Sequence, residues 1–304
     1  MCLGSYYRIL SFDGGGILGI FQAHFCKKLW QEHLLLSVQM ATGTSTGAII
    51  ACAIALNPKL VRDLPHLYED LGKNIFGKPR WLTDQLLFRR TKYSVKPLRK
   101  SLVSIFEGKT LGDCDNTIRL VVPAFCTETQ ELKVFDSAVT KENNIPLVDV
   151  ILASTAAPTF FPPHVYGTHR YIDGGIACNN PSYLAYSLAR NNHNTSKKIR
   201  ILSVNNTRSV ISRTHSSYSK MRLIDWIYGR NSLIQTMIRT NSNQAHQLLE
   251  YEYRKFSSNY VRIHPEIADD IDMDDYKEAL NALVPISDIS YNSHKREIDF
   301  WARN

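Results

Sequence analysis

Residues 7–33 read YRILSFDGGGILGIFQAHFCKKLWQEH, and the fold turns on how this stretch divides. An apolar run of strand length comes first, and three consecutive glycines follow Asp13. Ile20, Phe21, Phe25, Leu29 and Trp30 then recur close to the period of a helix. The pattern is strand, tight turn, helix. SVQMATGTSTGAIIACAIAL at 37–56 repeats it, with an apolar approach, a compact turn of Gly and Thr, and a helix of small and branched residues ending before Asn57 and Pro58. Such repetition predicts an α/β layer architecture. The glycines alone leave two uses open: cradling the phosphate of a nucleotide, or meeting an oxygen that becomes negative during a reaction.

Farther on, NTIRLVVPAFCT (116–127) and ELKVFDS (131–137) predict two strands joined by a polar turn, and PLVDVILASTAAP (146–158) a helix stopped by proline. RYIDGGIACNNP (170–181) is a strand and a Gly-rich turn, SYLAYSLARN (182–191) a helix, and KIRILSVN (198–205) and YVRIHPEI (260–267) further strands. Between 221 and 256 a largely helical region is expected to hold Leu223, Ile224, Trp226, Ile227, Leu233, Met237 and Ile238 against the core. The organisation expected is one domain over 1–304, with a basic excursion or cap at 66–110 and a mainly helical part at 206–304.

At 304 residues, 44% hydrophobic and 21% charged, the composition is that of a folded, water-soluble protein with a large core. No basic leader precedes an apolar run and no stretch approaches 18 uncharged apolar residues, so neither secretion nor membrane spanning is expected. Cysteines at 2, 26, 52, 114, 126 and 178 form no CxxC pair, which predicts buried, reduced thiols in the cytoplasm. The net charge of +8 has an address: nine Lys or Arg residues and one acid, Asp84, lie between Lys73 and Lys100. That stretch is either a solvated face or a surface for anionic lipid headgroups, with Trp81, Arg89, Arg90 and Lys92 facing the membrane. Nucleic acid is disfavoured, because no zinc finger, helix-turn-helix or aromatic RNA motif accompanies the charge.

GTSTG at 43–47 is Gly-x-Ser-x-Gly between an apolar segment and a helix, the context of a nucleophile elbow. Gly43 and Gly47 leave room for a sharp turn, so Ser45 can project its hydroxyl at a helix N-terminus; an ordinary tight turn is the alternative. If Ser45 is a nucleophile, Gly14, Gly15 and Gly16 suit an oxyanion nest. Gly14, Gly16 and Gly19 also satisfy the dinucleotide fingerprint, but the acid it requires would be Glu32, which falls in a helical continuation. Serine needs a base. Eight histidines follow Ser45 and none has a distinctive neighbourhood, whereas Asp173 ends an apolar strand before Gly174 and Gly175. It is either a base or a structural Asp turn. DDIDMDD (269–275) lacks the glycine and distant glutamate of a calcium loop and reads as a solvated turn or helix start. Phe160 and Phe161 either pack in the core or line an acyl channel.

Taken in order, DGGGILG (13–19), GTSTG (43–47), ASTAAPTFFPP (153–163) and YIDGGIACNNP (171–181) resemble the patatin-like phospholipase family, which includes plant patatins and calcium-independent phospholipases A2. The likeness extends over residues 7–205. It implies a three-layer α/β/α sandwich with a central, mostly parallel sheet, and a Ser-Asp dyad without histidine. Ser45 would be the nucleophile, Asp173 the general base and Gly14 to Gly16 the oxyanion loop, acting on phospholipid or another acyl lipid without metal or cofactor. Leu18 stands where many members carry a basic residue. Neutral lipids or lysophospholipids are alternative substrates, and a catalytically idle lipid-binding or signalling protein is the alternative class. Peripheral contact with anionic membrane and a regulatory partner are further expectations.

Overall fold

The computed structural model describes residues 6–77, 91–191, 198–206, 208–209, 233–253, 258–267 and 271–303. Trp81, Arg89 and Arg90, and the 221–232 part of the helical region expected over 221–256, lie outside these residues. Strand β1 (Tyr6–Phe12) runs through the glycines into α1 (Gly19–Gln31), and β2 (Met40–Gly43) runs through Ser45 into α2 (Thr46–Leu56). Helices α3 (Leu64–Leu71) and α4 (Lys96–Phe106) precede β3 (Arg119–Cys126), β4 (Glu131–Asp136) and α5 (Leu147–Ser154). A hairpin of β5 (His164–Tyr166) and β6 (His169–Asp173) leads to a short α6 (Gly175–Cys178), α7 (Ser182–Asn191) and β7 (Lys198–Val204). Next come β8 (Arg208–Ser209), α8 (Leu233–Glu252), β9 (Tyr260–Ile263), β10 (Glu266–Ile267), α9 (Tyr276–Ser293) and α10 (Lys295–Ala302).

Strands β9, β7, β1, β2 and β3 are parallel neighbours in that order, while β4, β5 and β6 add antiparallel pairings beyond β3. Alternation along the strands divides the core. Ile9, Met40, Val121, Ile199 and Ile201 face a layer containing Ala185, Ala189 and Leu249, while Leu10, Phe12, Ala41, Leu120 and Leu202 face the larger layer that includes α1, α2, α5 and α9. Helices therefore cover both faces of a mostly parallel sheet, the three-layer arrangement predicted from sequence. The described part of 66–110 belongs to the same core, through Leu67, Tyr68, Leu71, Leu98, Leu102 and Phe106. Leu233 and Met237 depart from expectation. They are 55% and 44% exposed, because α8 turns that stripe outward while Leu249 enters the core. Among the described residues no helix is long and apolar enough to cross a membrane.

One detail of the register places the site. Val121 pairs with both Thr42 of β2 and Asp136 of β4, while Ala124 pairs with both Asp173 of β6 and Lys133 of β4. A strand has two edges and β4 occupies one of them throughout. Strands β2 and β6 therefore share the other, end to end, approaching from opposite directions. Their C-terminal ends meet beside Val122 and Pro123. The Pro123 carbonyl faces that gap and accepts the Ser154 hydroxyl at 2.7 Å. Proline has no N–H, so no donor is stranded where the neighbouring strands stop.

Candidate active site

Ser45 occupies the turn between β2 and α2 with φ 53° and ψ −121°, a backbone conformation that a residue with a Cβ adopts at a cost. Its surroundings over-determine it. Gly47 N–H donates to Thr44 O at 2.8 Å, Ala48 N–H to Ser45 O at 2.9 Å, and Ser45 N–H to Ser154 Oγ at 2.9 Å. A Cβ at Gly47 would lie 2.5 Å from the Phe12 carbonyl oxygen, so only glycine lets α2 start this close to β1. Gly43 ends β2 on the other side of the serine. The turn holds the Ser45 hydroxyl at the N-terminus of a buried helix, where the field favours negative charge.

Asp173 ends β6 and meets the serine across the gap: Ser45 Oγ donates to Asp173 Oδ2 at 2.5 Å. The second carboxylate oxygen accepts the Gly175 N–H at 2.7 Å, and Asp173 N–H donates to Ala156 O at 3.0 Å. Gly174 and Gly175 form the turn that allows this closure. Burial pushes the Asp173 pKa up to about 6, against the opposing effects of the hydrogen bonds from Ser45 and Gly175. The result is a carboxylate more basic than usual and still ionised at neutral pH. Among the described residues no histidine lines the cavity that contains Ser45 and Asp173. His164 contacts Asp149, and His246 contacts Tyr260.

The glycine loop lies beside the pair. Gly14 differs from expectation, because its N–H donates to the Asn179 carbonyl at 3.1 Å and is not free for an oxyanion. Gly15 and Gly16 line the cavity with Ser45 and Asp173, and among the described residues neither N–H meets an acceptor. Gly16 has φ +59°, and a side chain there would run into the Met273 backbone. Ile17 N–H donates to Met273 O at 2.9 Å, and Gly19 opens α1. The dinucleotide alternative loses its acid: β2 ends at Gly43, and Glu32 lies just past the end of α1.

Away from these groups the described lining is mostly apolar. Ile49, Leu71, Ile75, Leu98, Ile238 and Met273 line it, and so do Phe160 and Phe161, both of which touch the Tyr93 ring. Lys92, expected to face a membrane, ion-pairs with Asp274 at 2.5 Å with its side chain 40% exposed; the Tyr93 hydroxyl donates to the same carboxylate at 2.6 Å. The acidic stretch is thus partly structural, with Asp275 capping α9 through the Glu278 N–H. Among the described residues no group of three or more His, Cys, Asp or Glu side chains gathers as metal ligands would.

Sequence reading passed over a second, deeper layer. Asp13, fully buried at the end of β1, receives both terminal nitrogens of Arg262 at 2.6 Å and the Ser242 hydroxyl at 2.5 Å. Burial alone would lower the Arg262 pKa, but the Asp13 carboxylate outweighs it and raises it. Asn206 Nδ2 donates to Gly14 O at 2.9 Å. A visible signal was the lone arginine in the apolar strand YVRI.

Residues 10–186 match the family described as patatin-like phospholipase. A cGAMP-activated phospholipase of Escherichia coli is 28% identical over 90% of this chain and 85% of its own length. Patatin-like protein 1 of Arabidopsis thaliana is 24% identical over 86% of this chain and 74% of its own length. Among solved structures, VipD of Legionella pneumophila matches with a TM-score of 0.45 and 16% identity, over 93% of this chain and 67% of that one.

Proposed function

Because this chain belongs to the patatin-like phospholipase family, we propose that it hydrolyses acyl esters of lipids, as a phospholipase A that releases fatty acid from glycerophospholipids, with Ser45 as nucleophile and Asp173 as general base. The observation that carries this reading is the 2.5 Å hydrogen bond from Ser45 Oγ to Asp173 Oδ2 in a largely apolar cavity. Ser45 Oγ attacks the ester carbonyl carbon as its proton passes to Asp173 Oδ2. The carbonyl oxygen becomes negative and is met by the Gly15 and Gly16 N–H groups, with the N-terminal field of α2 in support. Collapse of the tetrahedral intermediate breaks the ester bond. The departing alcohol takes the proton from Asp173, leaving the acyl group on Ser45. Water then gives a proton to Asp173, attacks the acyl-serine, and releases the fatty acid as the proton returns to Ser45. Phe160, Phe161 and the aliphatic lining hold the acyl chain.

Neutral lipids and lysophospholipids offer the same ester and are the neighbouring substrates; an idle lipid-binding protein is the reading from another class. The Escherichia coli relative is named for activation by cGAMP, and we extend to this chain the proposal that a nucleotide ligand controls its activity. The test is fatty-acid release from mixed phospholipid vesicles in chelator, with and without cGAMP, by the wild-type protein, Ser45→Ala and Asp173→Asn. Release that both substitutions lower by more than about 10³-fold supports the dyad. Release that survives either substitution overturns it. A wild-type protein inert on phospholipid, lysophospholipid and neutral lipid, with and without cGAMP, favours the idle protein.

A further inference from the structure

We propose that α8, through its adjacent residues Asn241 and Ser242, holds the base-bearing turn and the glycine loop in register with Ser45, making both side chains positioning residues for the reaction. The inference rests on the dyad reading and adds residues beyond 186, where the family match ends.

Asn241 grips the turn that follows Asp173. Its Nδ2 donates to Gly175 O at 2.8 Å and Ile176 O at 3.2 Å, and its Oδ1 accepts the Asn179 N–H at 2.7 Å. Both ends of that grip reach the chemistry. Gly175 N–H holds Asp173 Oδ1, the oxygen not facing the serine, so the seating of this glycine sets the rotation of the carboxylate. The Asn179 carbonyl holds the Gly14 N–H, the first of the loop. One residue on, the Ser242 hydroxyl holds Asp13 Oδ2 at 2.5 Å and receives Arg262 Nη2 at 3.2 Å. Arg262 Nη1 also bonds Ser203 Oγ on β7 at 2.6 Å, and the Ser242 carbonyl accepts Asn180 Nδ2 at 3.3 Å. Asp13 is the residue from which the glycines depart. A single turn of α8 therefore touches both halves of a site whose halves come from opposite strand directions. Ile238, one helical turn earlier, lines the cavity itself. Tilting α8 would move the base turn, the loop anchor and the cavity wall together.

Asn241→Ala and Ser242→Ala test this against Leu249→Ala, which thins the packing of the same helix without touching either turn. Two readouts apply: kcat and KM on vesicles, and the rate of covalent labelling of Ser45 by a fluorophosphonate, which needs no lipid. Both positioning variants should lose about 10- to 100-fold in kcat and in labelling rate with KM within twofold. Asn241→Ala should also move the acid limb of the rate profile to higher pH, because it loosens the Gly175 N–H that favours the ionised Asp173. Leu249→Ala should lower Tm and spare kcat. Variants that label at the wild-type rate, or that, like Leu249→Ala, lower Tm and spare kcat, overturn the inference alone. A wild-type protein without Ser45-dependent labelling, both with and without cGAMP, overturns the dyad and this inference together.

Discussion

Ser45 Oγ and Asp173 Oδ2 lie 2.5 Å apart although 128 residues separate them in the chain. Two strands sharing one edge of β3 bring them together: β2 delivers the serine from one direction and β6 the aspartate from the other, and Ser154 fills the gap between them. The meeting is a property of strand register.

As the proposed base, Asp173 must be ionised to accept a proton, and burial raises its pKa to about 6. Activity should fall as pH drops through about 6, where an unburied aspartate would hold it to about 4. Initial rates of fatty-acid release from pH 4.5 to 8.5 measure the midpoint. A midpoint below pH 5 would separate Asp173 from the role of base.

The same shift affects stability, with the opposite sign from an ordinary salt-bridged aspartate. The folded pKa lies above the unfolded value of 3.8, so ionisation is harder in the folded state and stability is lost as pH rises from about 4 to about 6. Asp173→Asn removes that cost. It should be more stable than wild type at pH 8 by on the order of 1–3 kcal/mol, with the advantage gone at pH 4. Paired denaturant melts at the two pH values decide it.

Backbone strain at Ser45 can be isolated by comparing two variants. Ser45→Ala and Ser45→Gly both lack the hydroxyl, but only alanine keeps a Cβ at φ 53°. The glycine variant should be the more stable by about 1 kcal/mol. Equal melting curves would mean that the turn stores nothing.

Gly16→Ala places a methyl against the Met273 backbone at a positive φ. The loop must move away from the 271–275 segment, and the Gly15 and Gly16 donors with it. Loss of one oxyanion donor costs about 10²–10³-fold in kcat, and a fall of that size with the fold retained by circular dichroism is expected.

Phe160→Trp narrows the cavity beside Tyr93. Hydrolysis of long-chain esters should drop at least about fivefold relative to short-chain esters, since the larger ring displaces the distal part of an acyl chain and leaves the dyad untouched. An unchanged chain-length profile would remove Phe160 from the acyl path.

The first two strand–turn–helix units were legible because apolar periodicity changes abruptly at glycines, and Ser45 and Asp173 because each follows an apolar strand into such a turn. The supporting layer was not. Nothing local indicates that the Gly14 N–H is taken by Asn179, or that Lys92 finds Asp274 at a separation of 182 residues. Asn241 and Ser242 look like the polar face of an amphipathic helix, because a hydrogen bond to a distant turn leaves no periodic trace. Leu233 and Met237 show the converse: apolar type predicts burial only when the face of the helix is known, and here it points outward.

Asp13 and Arg262 are 249 residues apart, and β9, which carries the arginine, is the strand next to β7 at the end of the sheet. A polypeptide leaving the ribosome has its serine and its aspartate long before it has that guanidinium. Until then Asp13 would be an unmatched charge in an apolar interior, and the loop it anchors has no reason to settle. A chain that stops short of β9 therefore holds Ser45 and Asp173 but lacks the guanidinium that matches Asp13, from which the glycine loop departs.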